Sequence, residues 1–244
     1  MDNAVRIEMW SGPRNISTAM LRSFENRTDC AVIDEPFYGP YLHATGKPHP
    51  GAEDVIAEQG SDWDAVKHQV TGPVPGDKPV YYHKQMAHHI LPDMDLSWMN
   101  SLHNCFLIRD PGEVVASFTQ QIEDITAEDL GFPQQQWLFD HLVEVTGKVP
   151  LVLESRDILK DPGGMLGALC DSVGIEFSDR MLQWPKGSRD TDGVWAKYWY
   201  KAVQQSTGFA PYRSREFTLS AAHQRIADEC MPTYEMLYQH RLVL

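Results

Sequence analysis

Residues 9–27, MWSGPRNISTAMLRSFENR, place Arg14, Ser17 and Thr18 where an alternating apolar pattern gives way to a helical one. That combination suits an anion. A helix starting straight after a strand turns its unpaired N–H groups and the positive end of its dipole into the turn, and Arg14 adds a full charge there. Arg109 follows the apolar run 105–108, and Ser117 comes eight residues later on the next helical pattern, so a guanidinium and a hydroxyl reach one anion. Glu35 directly follows the apolar run 30–34, a place from which a carboxylate can remove the proton of an attacking hydroxyl. His83, His88 and His89 compete for that role, because an imidazole titrates near neutral pH.

Other chemistries fit these residues less well. A Walker A loop needs Gly and Lys where the chain has Ser17 and Thr18, and a dinucleotide fingerprint needs more glycines than Gly12. A plain capped turn is the competing reading of the loop. Lys84 could carry pyridoxal phosphate as a Schiff base, but no partner for the pyridine ring stands out. The adjacent His88 and His89 cannot both point one way on a helix, and no i, i+4 pair with a carboxylate exists there, so no metal is expected.

The elements that must position these groups alternate between strand and helix. Strands are predicted at 5–10, 30–34, 80–83, 105–108 and 149–153, with helical patterns between most of them. The alternation predicts an α/β fold of three layers, a mainly parallel sheet of about five strands flanked by helices, in a single domain spanning 1–244. Ligands then lie at the strands' carboxyl ends. Asp110, Pro111 and Glu113 read as an N-cap, a first helical residue and a capping box, and Asp161-Pro162 repeats the pattern. Residues 43–60 read as an irregular insertion, and Ser61 as the cap of the helix after it. The run 122–147 reads as helix with Trp137, Leu138, His141, Leu142 and Val145 on one face, and the run 220–242 as a helix broken near Pro232.

A net charge of −13 opposes a nucleic-acid surface and requires that a polyanionic ligand find its cations concentrated. Arg14, Lys84, Arg109, Lys186 and Arg189 are therefore expected to converge. No apolar run approaches the ~18 residues of a membrane span, and the amino terminus shows no secretory pattern. The four cysteines are dispersed and form no CxxC pair, which favours reduced thiols and a cytoplasmic location.

Taken together, the two anion-binding segments resemble those of sulfotransferases that use 3′-phosphoadenosine 5′-phosphosulfate (PAPS). Pro13-Arg14-Asn15-Ile16-Ser17-Thr18 is similar to the family's 5′-phosphosulfate loop, with Asn15 and Ile16 where Ser-Gly is usual. Arg109-Asp110-Pro111 with Ser117 is similar to the motif for the 3′-phosphate. The resemblance makes Arg14, Asn15, Ile16, Ser17, Thr18, Arg109 and Ser117 nucleotide contacts, joined by Ser155 in place of a family tyrosine and by Lys186-Gly187 of a Lys-Gly loop. It gives Glu35 the role of catalytic base, as in carbohydrate-type members, with His88 as its competitor, and has Lys84 and Arg14 stabilise the bridging oxygen. The implied reaction transfers a sulfuryl group from PAPS to a hydroxyl or amine of a small molecule or carbohydrate, with a homodimer left open. An ATP-dependent kinase of the same layered fold is the rival, and a nucleotide-binding protein without turnover is the third reading.

Overall fold

The computed structural model describes residues 4–214 and 216–244. Its centre is one sheet of β1 (Val5–Ser11), β2 (Cys30–Asp34), β3 (Val80–Met86), β4 (His103–Ile108) and β5 (Leu151–Glu154). The order is β2-β3-β1-β4-β5, and every adjacent pair is parallel. Parallel strands need crossovers, and these supply the outer layers. The first five long helices are α1 (Ser17–Glu25), α2 (Tyr38–Thr45), α3 (Ala52–Gln59), α4 (Trp63–Thr71) and α5 (Pro111–Phe118).

Side chains alternate across the sheet and define two cores. Ile7 and Met9 of β1 join Met20, Leu21 and Phe24 of α1 and the buried stripe of helix Pro162–Val173. Trp10 faces the other way, into a cluster with Val66 and Val70 of α4, Val114 and Val115 of α5, and helices Phe132–Thr146 and Ala221–Gln239. A smaller cluster of Tyr38, Tyr41, Leu42, Val55, Trp195 and Tyr200 lies beyond the sheet.

The site follows from the strand order. After β1 the chain crosses by α1 toward β2 on one side, and after β4 it crosses by α5 toward β5 on the other. The carboxyl ends of β1 and β4 therefore part, and a crevice opens between them. Carbonyls at the parting ends need other partners, since an unmet buried carbonyl costs about 1–3 kcal/mol. Gln135 Nε2 donates to Trp10 O at 3.2 Å and Leu107 O at 3.1 Å, Asn15 Nδ2 to Leu107 O at 3.2 Å, and Ser155 Oγ to Ile108 O at 2.6 Å.

Several expected elements differ in detail. Strand β3 runs on past residue 83 to Met86, in register with β1 as far as Ser11. Its polar inward residues are matched there: Gln85 Nε2 donates to Glu8 Oε2 at 2.7 Å, and His83 Nδ1 meets Glu8 Oε1. The supposed irregular insertion holds the last three residues of α2 and all of α3. Asp62, not Ser61, caps α4, accepting from the amides of Asp64 and Ala65. The run 122–147 divides into helices Ala127–Leu130 and Phe132–Thr146 at Gly131, and the longer helix buries Phe132, Gln135, Leu138, Phe139 and Leu142 while Val145 is 47% exposed. Helix Ala221–Gln239 continues through Pro232, because Cys230, Thr233, Tyr234 and Leu237 anchor it on either side of the missing N–H.

Candidate active site

The first corner is the loop from β1 to α1. Arg14 and Ile16 both adopt left-handed backbone, φ 64° and 57°. A β-branched residue there costs about 1–2 kcal/mol, and the Ile16 side chain is held by packing against the core on the α1 side of the sheet. The turn thus keeps its shape where the resembling family has glycine. No side chain caps α1, so its leading N–H groups face the loop.

The second corner is the start of α5, and it touches the first. Arg109 Nη1 donates to Arg14 O at 2.7 Å, and Arg14 Nε donates to Ser117 Oγ at 2.9 Å. Asp110 caps α5 by accepting from Glu113 N at 3.1 Å, but the Glu113 carboxylate does not close the box. It binds Arg109 instead, Nε at 2.9 Å and Nη2 at 2.8 Å, and accepts from Tyr212 OH at 3.2 Å. Burial, and then the neighbouring Arg109, lower the Arg14 pKa, a sign of positive charge in excess.

Both corners open on a cavity of about 640 Å³ lined by residues 13–19, Glu35, Lys84, Arg109 and Ser117. Of the five cations expected to meet, Arg14, Lys84 and Arg109 line it. Lys186, Gly187 and Arg189 do not: Gly187 N is bonded to Gln204 O at 2.9 Å, and the Arg189 guanidinium turns to Glu25, 3.5 Å away, and to Pro185 O. Ser155 is buried behind the loop, on the Ile108 carbonyl, and does not reach the lining. The segment 208–213, Gly-Phe-Ala-Pro-Tyr-Arg, lines the cavity instead and brings Arg213 with it. An arginine in a run marked by Gly and Pro was the available signal, and it was missed.

On the β2–β3 side stands a closed polar cluster. Lys84 is 2% exposed, and its ammonium meets Asp34 Oδ1 at 2.8 Å, Glu35 Oε1, and Tyr200 OH at 2.7 Å. Tyr200 OH donates to Asp34 Oδ2 at 2.5 Å and accepts from Trp195 Nε1 at 3.2 Å. Glu35 is bent into left-handed backbone, φ 43°, with its carbonyl accepting from Gln59 Nε2 at 3.0 Å. Burial raises the Glu35 carboxyl above its ordinary range, although Lys84 opposes the shift. Burial also works against the Lys84 charge, but Asp34 and then Glu35 outweigh it and hold the ammonium well above its usual value.

His88 and His89 are buried beside this cavity, and His49 joins them from the segment before α3. His83 lies on the opposite side of β3, against Glu8, outside the lining. Burial, with His49 adding to it, brings His88 down to about 3, so the ring is neutral at pH 7. Among the described residues no group of His, Cys, Asp and Glu is arranged to hold a metal ion.

A crevice at the parting of parallel strands, with helix amides and two guanidiniums around it, defines an α/β protein built to grip a charged group. The match to the family described as sulfotransferase domain covers residues 5–240, and the chain belongs to that family. The fold is similar to the sulfotransferase domain of the Synechococcus PCC 7002 olefin synthase, with TM-score 0.54 and 15% identity over 94% of this chain and 95% of that one. It is also similar to a sulfotransferase from Alicyclobacillus acidocaldarius, with TM-score 0.53 and 14% identity over 98% and 97% of the two chains. In sequence it resembles two Arabidopsis thaliana proteins, branched-chain-amino-acid aminotransferase-like protein 2, 30% identical, and protein 1, 32% identical. The alignments cover 96% of this chain but 41% and 42% of those proteins.

Proposed function

We propose that the protein moves a sulfuryl group from PAPS to a hydroxyl or amine of a small-molecule or carbohydrate acceptor. One observation carries the reading: Arg14 and Arg109, from loops 95 residues apart in sequence, touch each other at the mouth of an uncapped helix inside one cavity. Two like charges are brought together at a cost, and an anion bound between them offsets it. The residues present suit the nucleotide: α1 amides, Ser17, Thr18 and Arg14 for one anionic end, Arg109 and Ser117 for the other, in a volume of about 640 Å³.

PAPS supplies the activated sulfuryl group, and the protein's residues position and neutralise charge. Glu35 takes the acceptor proton as the new bond from the acceptor oxygen or nitrogen to sulfur forms; its raised pKa makes it a stronger base than a solvated carboxylate. Lys84, Arg14 and the loop amides stabilise charge on the phosphate oxygen released as the old bond breaks. His88 suits the base role less, since burial leaves it a weak proton acceptor. The free buried cysteines support a reducing, cytoplasmic setting.

Thermal shift tests the donor. Adenosine 3′,5′-bisphosphate at a hundredfold excess over its Kd should stabilise the fold by about 2.7 kcal/mol, with ADP and AMP well behind. A preference for ADP would select the kinase reading instead.

A further inference from the structure

We propose that Tyr38, His49, His88 and His89 form the subsite that recognises the acceptor, and that it selects an uncharged alcohol rich in further oxygen acceptors, such as a sugar or polyol. The inference rests on the sulfuryl-transfer reading for which molecule is the acceptor, and on side-chain geometry for its chemistry.

His89 is clamped between two tyrosines, with ring centres 4.6 Å from Tyr38 and 4.9 Å from Tyr41. His88 meets Tyr41 edge-on at 5.5 Å and His89 at 4.4 Å. Tyr38 OH and His49 Nδ1 are hydrogen-bonded at 2.9 Å. These rings are therefore fixed before any ligand arrives. In both His88 and His89 the Nδ1 atom is sealed from solvent and has no hydrogen-bond partner. A Cβ placed at Gly131 would lie 3.6 Å from His88 Nδ1, so that nitrogen faces the backbone and not the cavity.

Each of these rings lines the cavity, and neither Nε2 is among the sealed atoms. A sealed nitrogen without a partner forfeits a hydrogen bond in either tautomer, so Nε2 alone is left to bond a ligand, and the Nε2–H form that neutral histidine favours presents it as a donor. Two neutral rings then offer N–H donors from a rigid wall. Donors of that kind match ether, carbonyl or hydroxyl oxygens.

The surrounding charges rule against the other acceptor classes. An ammonium would meet N–H donors here, and of the nearby carboxylates Asp34 is closed off by Lys84 and Tyr200. Among the described residues, the cations that act on the rings are Lys84, shared by two acids, and Lys47, paired with Asp129, so a carboxylate there would meet cations already committed. The groups acting on the rings are Asp129, Lys47, His49 and Lys84, together with each other.

The test compares three probes of similar size by calorimetry on the whole protein, with and without adenosine 3′,5′-bisphosphate. Phenyl β-D-glucoside should bind at least tenfold more tightly than tyramine or 4-hydroxyphenylacetate, and His89→Leu should abolish that preference. A tighter amine or carboxylate overturns the proposal. Nitrogen-15 spectra of the His88 and His89 rings give a reading that needs no variant: neutral Nε2–H tautomers from pH 7 to 5 are expected, and Nδ1–H forms or titration of these two rings near 6.5 would sink it. Loss of bisphosphate binding would defeat the sulfuryl-transfer reading alone, because the probe ranking without nucleotide still decides the subsite.

Discussion

The two sides of the cavity handle charge in opposite ways. At the β1–β4 crevice, Arg14 and Arg109 lie side by side, and among the described residues the carboxylate bonded to them is Glu113, on Arg109. At the β2–β3 edge, Lys84 is enclosed by two carboxylates and a phenol. One side carries excess positive charge facing a cavity, and the other is internally satisfied. The first is suited to seizing a polyanion and the second to holding a proton-accepting group still until a substrate disturbs it.

That contrast predicts a sequence of effects. Lys84→Met should be the most damaging change, since it strands two buried carboxylates; a stability loss of about 3–5 kcal/mol is expected in urea titration. A loss below about 1 kcal/mol would mean the cluster is not closed. Arg14→Ala should do the reverse, leaving the melting temperature nearly unchanged while bisphosphate affinity drops about 10- to 100-fold, or ~1.5–3 kcal/mol, by calorimetry.

The pH response sharpens the contrast on the side of the histidines. The folded-state pKa of His88 is depressed to about 3 from 6.5, so its contribution to stability is full above pH 6.5 and lost as pH falls toward 3. Between pH 6.5 and 5 the loss is about 2 kcal/mol, and His88→Leu should flatten that slope in denaturant titrations. The smallest effect should come from Arg213→Ala, a few-fold weaker bisphosphate binding, because the residue is exposed and screened.

The β1–β4 corner was legible because its parts are local: strand, loop and helix follow one another within residues 5–25 and again within 103–118. Periodicity and cap residues report such neighbours directly, and they also gave the five strands of the sheet. Tyr200 on Asp34 and Lys84, or Tyr212 on Glu113, joins residues 99 or more positions apart, and no local pattern records that. Lys186-Gly187 misled for the same reason. A loop of suitable composition was placed by its position in the chain, whereas packing turned Arg189 toward Glu25 and brought the 208–213 segment to the cavity. Strand β3 was cut short because its polar residues hide partners, above all Glu8, on a neighbouring strand.

Asn15, Gln135 and Ser155 all donate to carbonyls where the central strands separate. Gln135 and Ser155 do so from outside the cavity lining, so the interval between the two arginines is set in part by groups that do not face the cavity. Shortening one of them, as in Gln135→Ala, is a way to retune the fit for a longer or shorter polyanion without altering any residue at the front.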